Sequence, residues 1–141
     1  ANIYNGIQEK LYLGNLNSKR DWGYAPEYVE AMWMMLQQNK PDDYVVATNT
    51  EHSVRDFCDA AFNEVGINLE WNGEGVNEKG IDTRTKKTIV EVDPYYFRPI
   101  DVERLRGDYS KANKAFGWKP KVTFKELVKI MVESDLEKVK K

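Results

Sequence analysis

Few side chains in this sequence stand where they could make or break a bond. The lone histidine, His52, sits beside Ser53, but adjacent residues at a helix start do not face one another, and no third group is placed to activate a nucleophile. A capping or solvent-facing role suits the pair better. The lone cysteine, Cys58, lies in a helical, half-apolar stretch, whereas a reactive thiolate needs an electropositive, accessible site. The carboxylates, without a cysteine cluster or a second histidine, show no metal-ligand spacing. A tyrosine acid–base catalyst would need a lysine four places further along one helix, so that the ammonium lowers the phenol's pKa. The residues four places after Tyr4, Tyr12, Tyr24, Tyr28, Tyr44, Tyr95, Tyr96 and Tyr109 are Gln8, Leu16, Tyr28, Met32, Thr48, Pro99, Ile100 and Asn113. None is lysine. Gly73, Gly75 and Gly80 come nearest to a phosphate-cradling turn, but the third glycine arrives two residues late and no amphipathic helix follows. A flexible loop is the better reading, and no cofactor-binding, catalytic or metal-binding residue is expected in the chain.

The composition is that of one compact unit. A length of 141 residues, 41% of them apolar, is enough for a single hydrophobic core. A net charge of −2 without long runs of one sign offers nothing to draw in a polyanion, so nucleic acid is not an expected partner. One cysteine cannot close an internal disulfide and fits a reducing compartment. No apolar run approaches the roughly 18 residues of a membrane span, and the N-terminus has no signal-like stretch. The expectation is a cytoplasmic protein with no membrane association.

The elements that must position any site follow from local pattern. Residues 9–14 read as a strand and 15–17 as a turn into a second strand at 19–22, a hairpin with Arg20 near its far side. Pro26 suits the first turn of a helix running to about residue 38, with Tyr28, Val29, Met32, Trp33 and Leu36 at helical spacing. The apolar run 44–47 reads as a buried strand. Ser53 is a plausible N-cap for a helix whose face is Val54, Phe57, Cys58, Ala61, Phe62 and Val65, with Gly66 as the stop. A short strand is expected at 69–71. Residues 72–87 read as a surface excursion with a ragged hairpin that ends in a strand at 88–92. Short helical pieces are expected near 102–105 and 110–116, with Gly117 as the stop. Thr123 and Glu126 make a capping box for a last helix with Phe124, Leu127, Ile130, Met131 and Leu136 on one stripe. Alternating strands and helices indicate an α/β fold.

Several segments carry a resemblance. Residues 13–23, Leu-Gly-Asn-Leu-Asn-Ser-Lys-Arg-Asp-Trp-Gly, closely resemble the hairpin of GDP-mannose 4,6-dehydratases, whose usual form begins LGNLDAKRDWG. Asn17 and Ser18 depart from it, as does Tyr24 just beyond. Residues 43–48 and 53–57 are similar to the family's DYVIAT and HSVREF segments. Residues 97–102 match its FRPTEV with Ile100 for Thr and Asp101 for Glu, and 107–120 resemble its GD…KA…LGWKP run. The likeness spans residues from about 5 to 137. Single pieces occur widely among extended short-chain dehydrogenases/reductases; the ordered set is specific to the GDP-mannose enzymes.

That resemblance implies a small C-terminal substrate-binding domain, residues 1–141, with short strands and packing helices and no complete Rossmann domain. It would be one part of a two-domain lyase that converts GDP-mannose to GDP-4-keto-6-deoxymannose, on the way to GDP-fucose and other deoxyhexoses. The N-terminal Rossmann half would carry NADP and the catalytic groups, and the whole would form a homo-oligomer. By the same resemblance Arg20 and Arg98 reach the pyrophosphate, a task that suits the guanidinium fork. Asp101 stands where the family's Glu accepts hydrogen bonds from the ribose hydroxyls. Asn15 is a further candidate for the nucleotide, although a turn alone would explain an Asn there. Asp21 and Trp22 are expected to support Arg20, and Arg55 to make a structural ion pair. Tyr95, Tyr96 and Phe97 read as core. A stand-alone, non-catalytic GDP-sugar-binding or regulatory module is the alternative.

Overall fold

The computed structural model describes residues 1–139. Local chemistry sets its helices. Helix α1, Ala25–Leu36, opens on Pro26, which sacrifices no hydrogen bond in a first turn. Helix α2, Val54–Asn63, is capped by Ser53: its hydroxyl accepts from the Asp56 N–H at 3.0 Å, and the Asp56 carboxylate accepts from the Ser53 N–H at 2.8 Å. Helix α3, Ser110–Phe116, stops at Gly117, whose φ of +74° suits a residue without a Cβ. Helix α4, Phe124–Val139, begins at the reciprocal Thr123–Glu126 box.

Strands β1 (Leu11–Leu13), β4 (Leu69–Asn72), β5 (Lys79–Asp82) and β6 (Thr88–Val92) form one sheet in the order β1-β6-β5-β4. β1 runs parallel to β6, pairing Leu11 with Val90 and Leu13 with Val92. The other two pairings are antiparallel, with an irregularity at Gly80/Ile81. Strands β2 (Lys19–Arg20) and β3 (His52–Ser53) make a separate antiparallel pair.

Four expectations need correction. The predicted hairpin does not form: β1 takes its partner from β6, while β2 pairs with β3. Residues 44–47 are extended but join no ladder, because their side chains serve helix packing instead. Tyr44 meets Phe116 edge-on at 5.0 Å, Val46 packs on the α1–α3 cluster, and Val45 is 53% exposed. Residues 102–105 are not helical, since Glu103 and Leu105 spend their backbone groups on Lys19. The stripe of α4 is rotated: Leu127 and Val128 are buried, whereas Ile130 and Met131 are exposed. The 72–87 excursion does hold the expected ragged hairpin, but its strand β5 lies inside the sheet, with Gly80 packed against Val90 and Trp71.

Two apolar clusters result. One lies between the sheet and α2, around Cys58, Phe62, Ile89 and Val90. The other joins α1 and α3 around Ala31, Ala112 and Trp118. Glu27 ties the second together: its carboxylate accepts from the Lys121 and Val122 N–H groups, and its carbonyl accepts from the Trp118 indole.

Candidate substrate-binding face

The two arginine-bearing segments, far apart in sequence, lie side by side. Residues 15–21 and 98–107 run parallel and are joined at successive positions. Asn15 donates to the Arg98 carbonyl and accepts from the Arg98 N–H. Ser18 donates to Asp101. The Lys19 backbone exchanges hydrogen bonds with Glu103 and Leu105. Arg20 donates to Asp101 Oδ1 at 3.1 Å and to the Val102 carbonyl at 2.7 Å, and Asp21 accepts from the Gly107 N–H. Close approach is built in at both ends. A Cβ at Gly14 would strike the Tyr96 carbonyl, and one at Gly107 would strike Ala47.

All four residues singled out from sequence therefore meet along one seam. Asn15 and Asp101 line a cleft of about 460 Å³, together with Ser18, Phe97, Pro99 and Arg104. Arg98 sits between two of those lining residues, exposed, and its guanidinium makes no hydrogen bond or ion pair among the described residues. Arg20 is differently placed. Its guanidinium is already spread over the Asp101 carboxylate and the carbonyls of Val102 and Lys19, so it braces the seam while half-buried. The Ser18 hydroxyl, with the Val102 N–H and the neighbouring arginines Arg20 and Arg98, holds the Asp101 carboxyl below the usual carboxylate range. Asp101 thus stays ionised beside the Arg20 guanidinium.

The supporting residues differ in part from expectation. Asp21 does not pair with Arg20. It gathers the N–H groups of Thr48, Asn49 and Gly107 and the Thr48 hydroxyl, pinning the 44–49 segment to the seam. Trp22 donates to the His52 carbonyl and packs on Phe57. Arg55 does make its ion pair, with Glu78, and also donates to Asn17 at 2.6 Å while its guanidinium lies 5.4 Å from the Trp71 ring. Tyr95 is not core: it is 86% exposed, and Phe97 faces the cleft. His52 stacks on Phe124 at 3.8 Å, and burial pushes the Cys58 thiol up to about 12, so neither is poised for nucleophilic chemistry. Ser18 was missed, because a serine in a turn carries no signal of what it faces.

Gly73, Gly75 and Gly80 do not form a dinucleotide-binding turn. The glycine run joins two antiparallel strands, β4 and β5, through a 3₁₀ turn at Gly75–Asn77, and presents no helix N-terminus to a pyrophosphate.

The fold is shared with several solved enzyme structures. An RMD from Pseudomonas aeruginosa complexed with NADPH superposes with a TM-score of 0.72 at 19% identity, covering 98% of this chain and 39% of that one. A dTDP-glucose 4,6-dehydratase from Bacillus anthracis in complex with NAD gives 0.71 at 20% identity, over 96% and 37%. In sequence, residues 1–131 match the family model of GDP-mannose 4,6 dehydratase. A GDP-mannose 4,6 dehydratase of Drosophila melanogaster is 52% identical over the whole chain, and one of Dictyostelium discoideum is 50% identical over 99% of it. The chain belongs to the GDP-mannose 4,6-dehydratase family. It spans 36% and 39% of those two relatives' lengths.

Proposed function

We propose that this chain is the substrate-holding domain of a GDP-mannose 4,6-dehydratase. The observation that carries the reading is the seam itself: Asn15 fixes the backbone of Arg98 while Arg20 and Asp101 pair beside it. A GDP-sugar presents two phosphates and a ribose diol. Arg98 supplies an unengaged fork for phosphate oxygens, Arg20 adds positive charge beside it, and Asp101 supplies acceptors for hydroxyls. Binding and orientation are the whole contribution of these residues.

NADP and the acid–base groups belong, in this reading, to a Rossmann part outside the chain, and the product is GDP-4-keto-6-deoxymannose, a precursor of GDP-fucose, made in the cytoplasm by a homo-oligomer. The outer face of α1 supports the existence of such a part. Val29, Met32, Trp33 and Leu36 are 62%, 59%, 63% and 82% exposed, a contiguous apolar strip that water does not favour.

Combining the chain with a cofactor-binding part and assaying 4-keto sugar from GDP-mannose tests the proposal. Activity is expected. A folded complex without activity would refute the enzyme reading, and tighter binding of UDP-glucose than of GDP-mannose would refute the choice of nucleotide.

A further inference from the structure

Asp101 owes its orientation to the Ser18 hydroxyl. Ser18 is 7% exposed, and its hydroxyl donates to Asp101 Oδ2 at 2.6 Å. The other oxygen, Oδ1, is filled by the Val102 N–H at 2.8 Å and by Arg20 at 3.1 Å. Oδ2 therefore keeps acceptor capacity, and both Ser18 and Asp101 line the cleft. Ser18 is itself immobilised: its carbonyl accepts from the Val54 N–H at 3.1 Å and that of Leu16 from the Arg55 N–H at 3.0 Å, both at the start of α2. A rigid backbone thus presents the hydroxyl that sets the plane of the carboxylate.

Two of the positions where this chain departs from the motifs it resembles, Ser18 for Ala and Asp101 for Glu, are in contact. An aspartate withdraws its carboxylate by one methylene, and the serine hydroxyl occupies the room and holds the shorter acid in place.

We infer that Ser18 is a positioning residue, which fixes the Asp101 carboxylate to receive the vicinal diol of a nucleotide ribose. The inference rests on the nucleotide-sugar reading and adds to it the residue that makes a short acid serve there.

Calorimetric titration of the complete protein with GDP and with 2′,3′-dideoxy-GDP tests it, with thermal melting to check that each variant is folded. Wild type should prefer GDP. S18A should bind GDP about tenfold more weakly, the scale of one hydrogen bond to a charged group, and dideoxy-GDP unchanged. S18C, close to serine in shape but a weak donor, should show the same selective loss and serves if S18A fails to fold. D101E alone should also lose GDP affinity, since the longer acid meets the hydroxyl, and S18A/D101E should recover to within about threefold of wild type. Equal losses for both ligands would make Ser18 a loop-stabilising residue and overturn the inference, as would no loss for either. A double variant no better than its singles would overturn the exchange of hydroxyl for methylene. A wild type that binds both ligands alike would refute the ribose reading itself, and this inference with it.

Discussion

The Asn15 side chain closes a two-point bracket on the backbone of Arg98, donating to its carbonyl at 2.7 Å and accepting from its N–H at 2.8 Å. The guanidinium has no partner among the described residues while the backbone that carries it is fixed, so Arg98 is aimed without being engaged. Pro99 stiffens the next position. Asn15→Asp keeps the acceptor and loses the donor. The expected outcome is a loss of about 0.5–1.5 kcal/mol in kcat/KM for GDP-mannose in the complete enzyme, against roughly twice that for Asn15→Ala, which removes both bonds. Steady-state kinetics of the two variants would check the order.

Arg98 and Arg20 should separate by what each change does to the fold. Arg98→Ala removes an exposed side chain with no protein partner among the described residues, so its melting temperature should match wild type. Its kcat/KM should fall by about 1.5–3 kcal/mol. Arg20→Ala strips Asp101 and the Val102 carbonyl of a donor and should lower stability as well as activity. An Arg98→Ala enzyme with normal kinetics would remove Arg98 from the site.

What could be read from the sequence was local, and what could not was long-range. Pro26, the Ser53 cap, the Thr123/Glu126 box and Gly117 announce helix ends through interactions within one turn, and α1 to α4 fall where those residues put them. Residues 44–47 show the limit, since a short apolar run is equally a strand or a strip packed on helices, and only Phe116 and the α1–α3 cluster decide between them. The partner of β1 is β6 and the partner of Arg20 is Asp101, both distant in the chain. Adjacent pairing made the hairpin and the Asp21–Arg20 contact look natural, and neither exists. The site residues came from motif resemblance, which names Arg20, Arg98 and Asp101 without saying that they share a seam. Ser18, Asp21's backbone contacts and the Arg55–Asn17 bond had no local signature at all.

Glu27 is a buried carboxylate near the start of α1 that holds the 118–122 turn through two backbone N–H groups. Removing it strands both donors and withdraws a negative charge from a helix N-terminus. Glu27→Ala should cost about 2–3 kcal/mol of stability in a urea titration, and Glu27→Gln, which still accepts hydrogen bonds, clearly less. Equal losses would show that charge, not bonding, sets the contribution.

Burial in the α2–sheet cluster pushes the Cys58 thiol from about 9 up to about 12. Well below pH 9 the thiol is protonated whether the chain is folded or not, so it adds no pH dependence there. Between the two values the unfolded chain releases the proton and the folded one keeps it, so this group makes stability fall as pH rises. Cys58→Ala should flatten that part of the profile, measured by denaturant titration from pH 8.5 to 10.5. Disulfide reagents at pH 8 should label the native thiol only at the rate of unfolding.

The exposed strip on α1 carries the last expectation. Met32 and Trp33 sit in mid-helix and are exposed, whereas Ala31 is buried in the core. Replacing them by Lys and Glu removes apolar surface that is mostly exposed in this chain, so its own stability should change by no more than about 0.5 kcal/mol. Association is another matter. Burying a side chain of that size is worth about 1.5–3 kcal/mol, so the double variant should weaken capture of the cofactor-binding part at least tenfold in a titration of the two. Light scattering should show the unpartnered chain self-associating through the same strip and the double variant monomeric. A double variant that captures its partner as tightly as wild type would mean that the Rossmann part docks elsewhere.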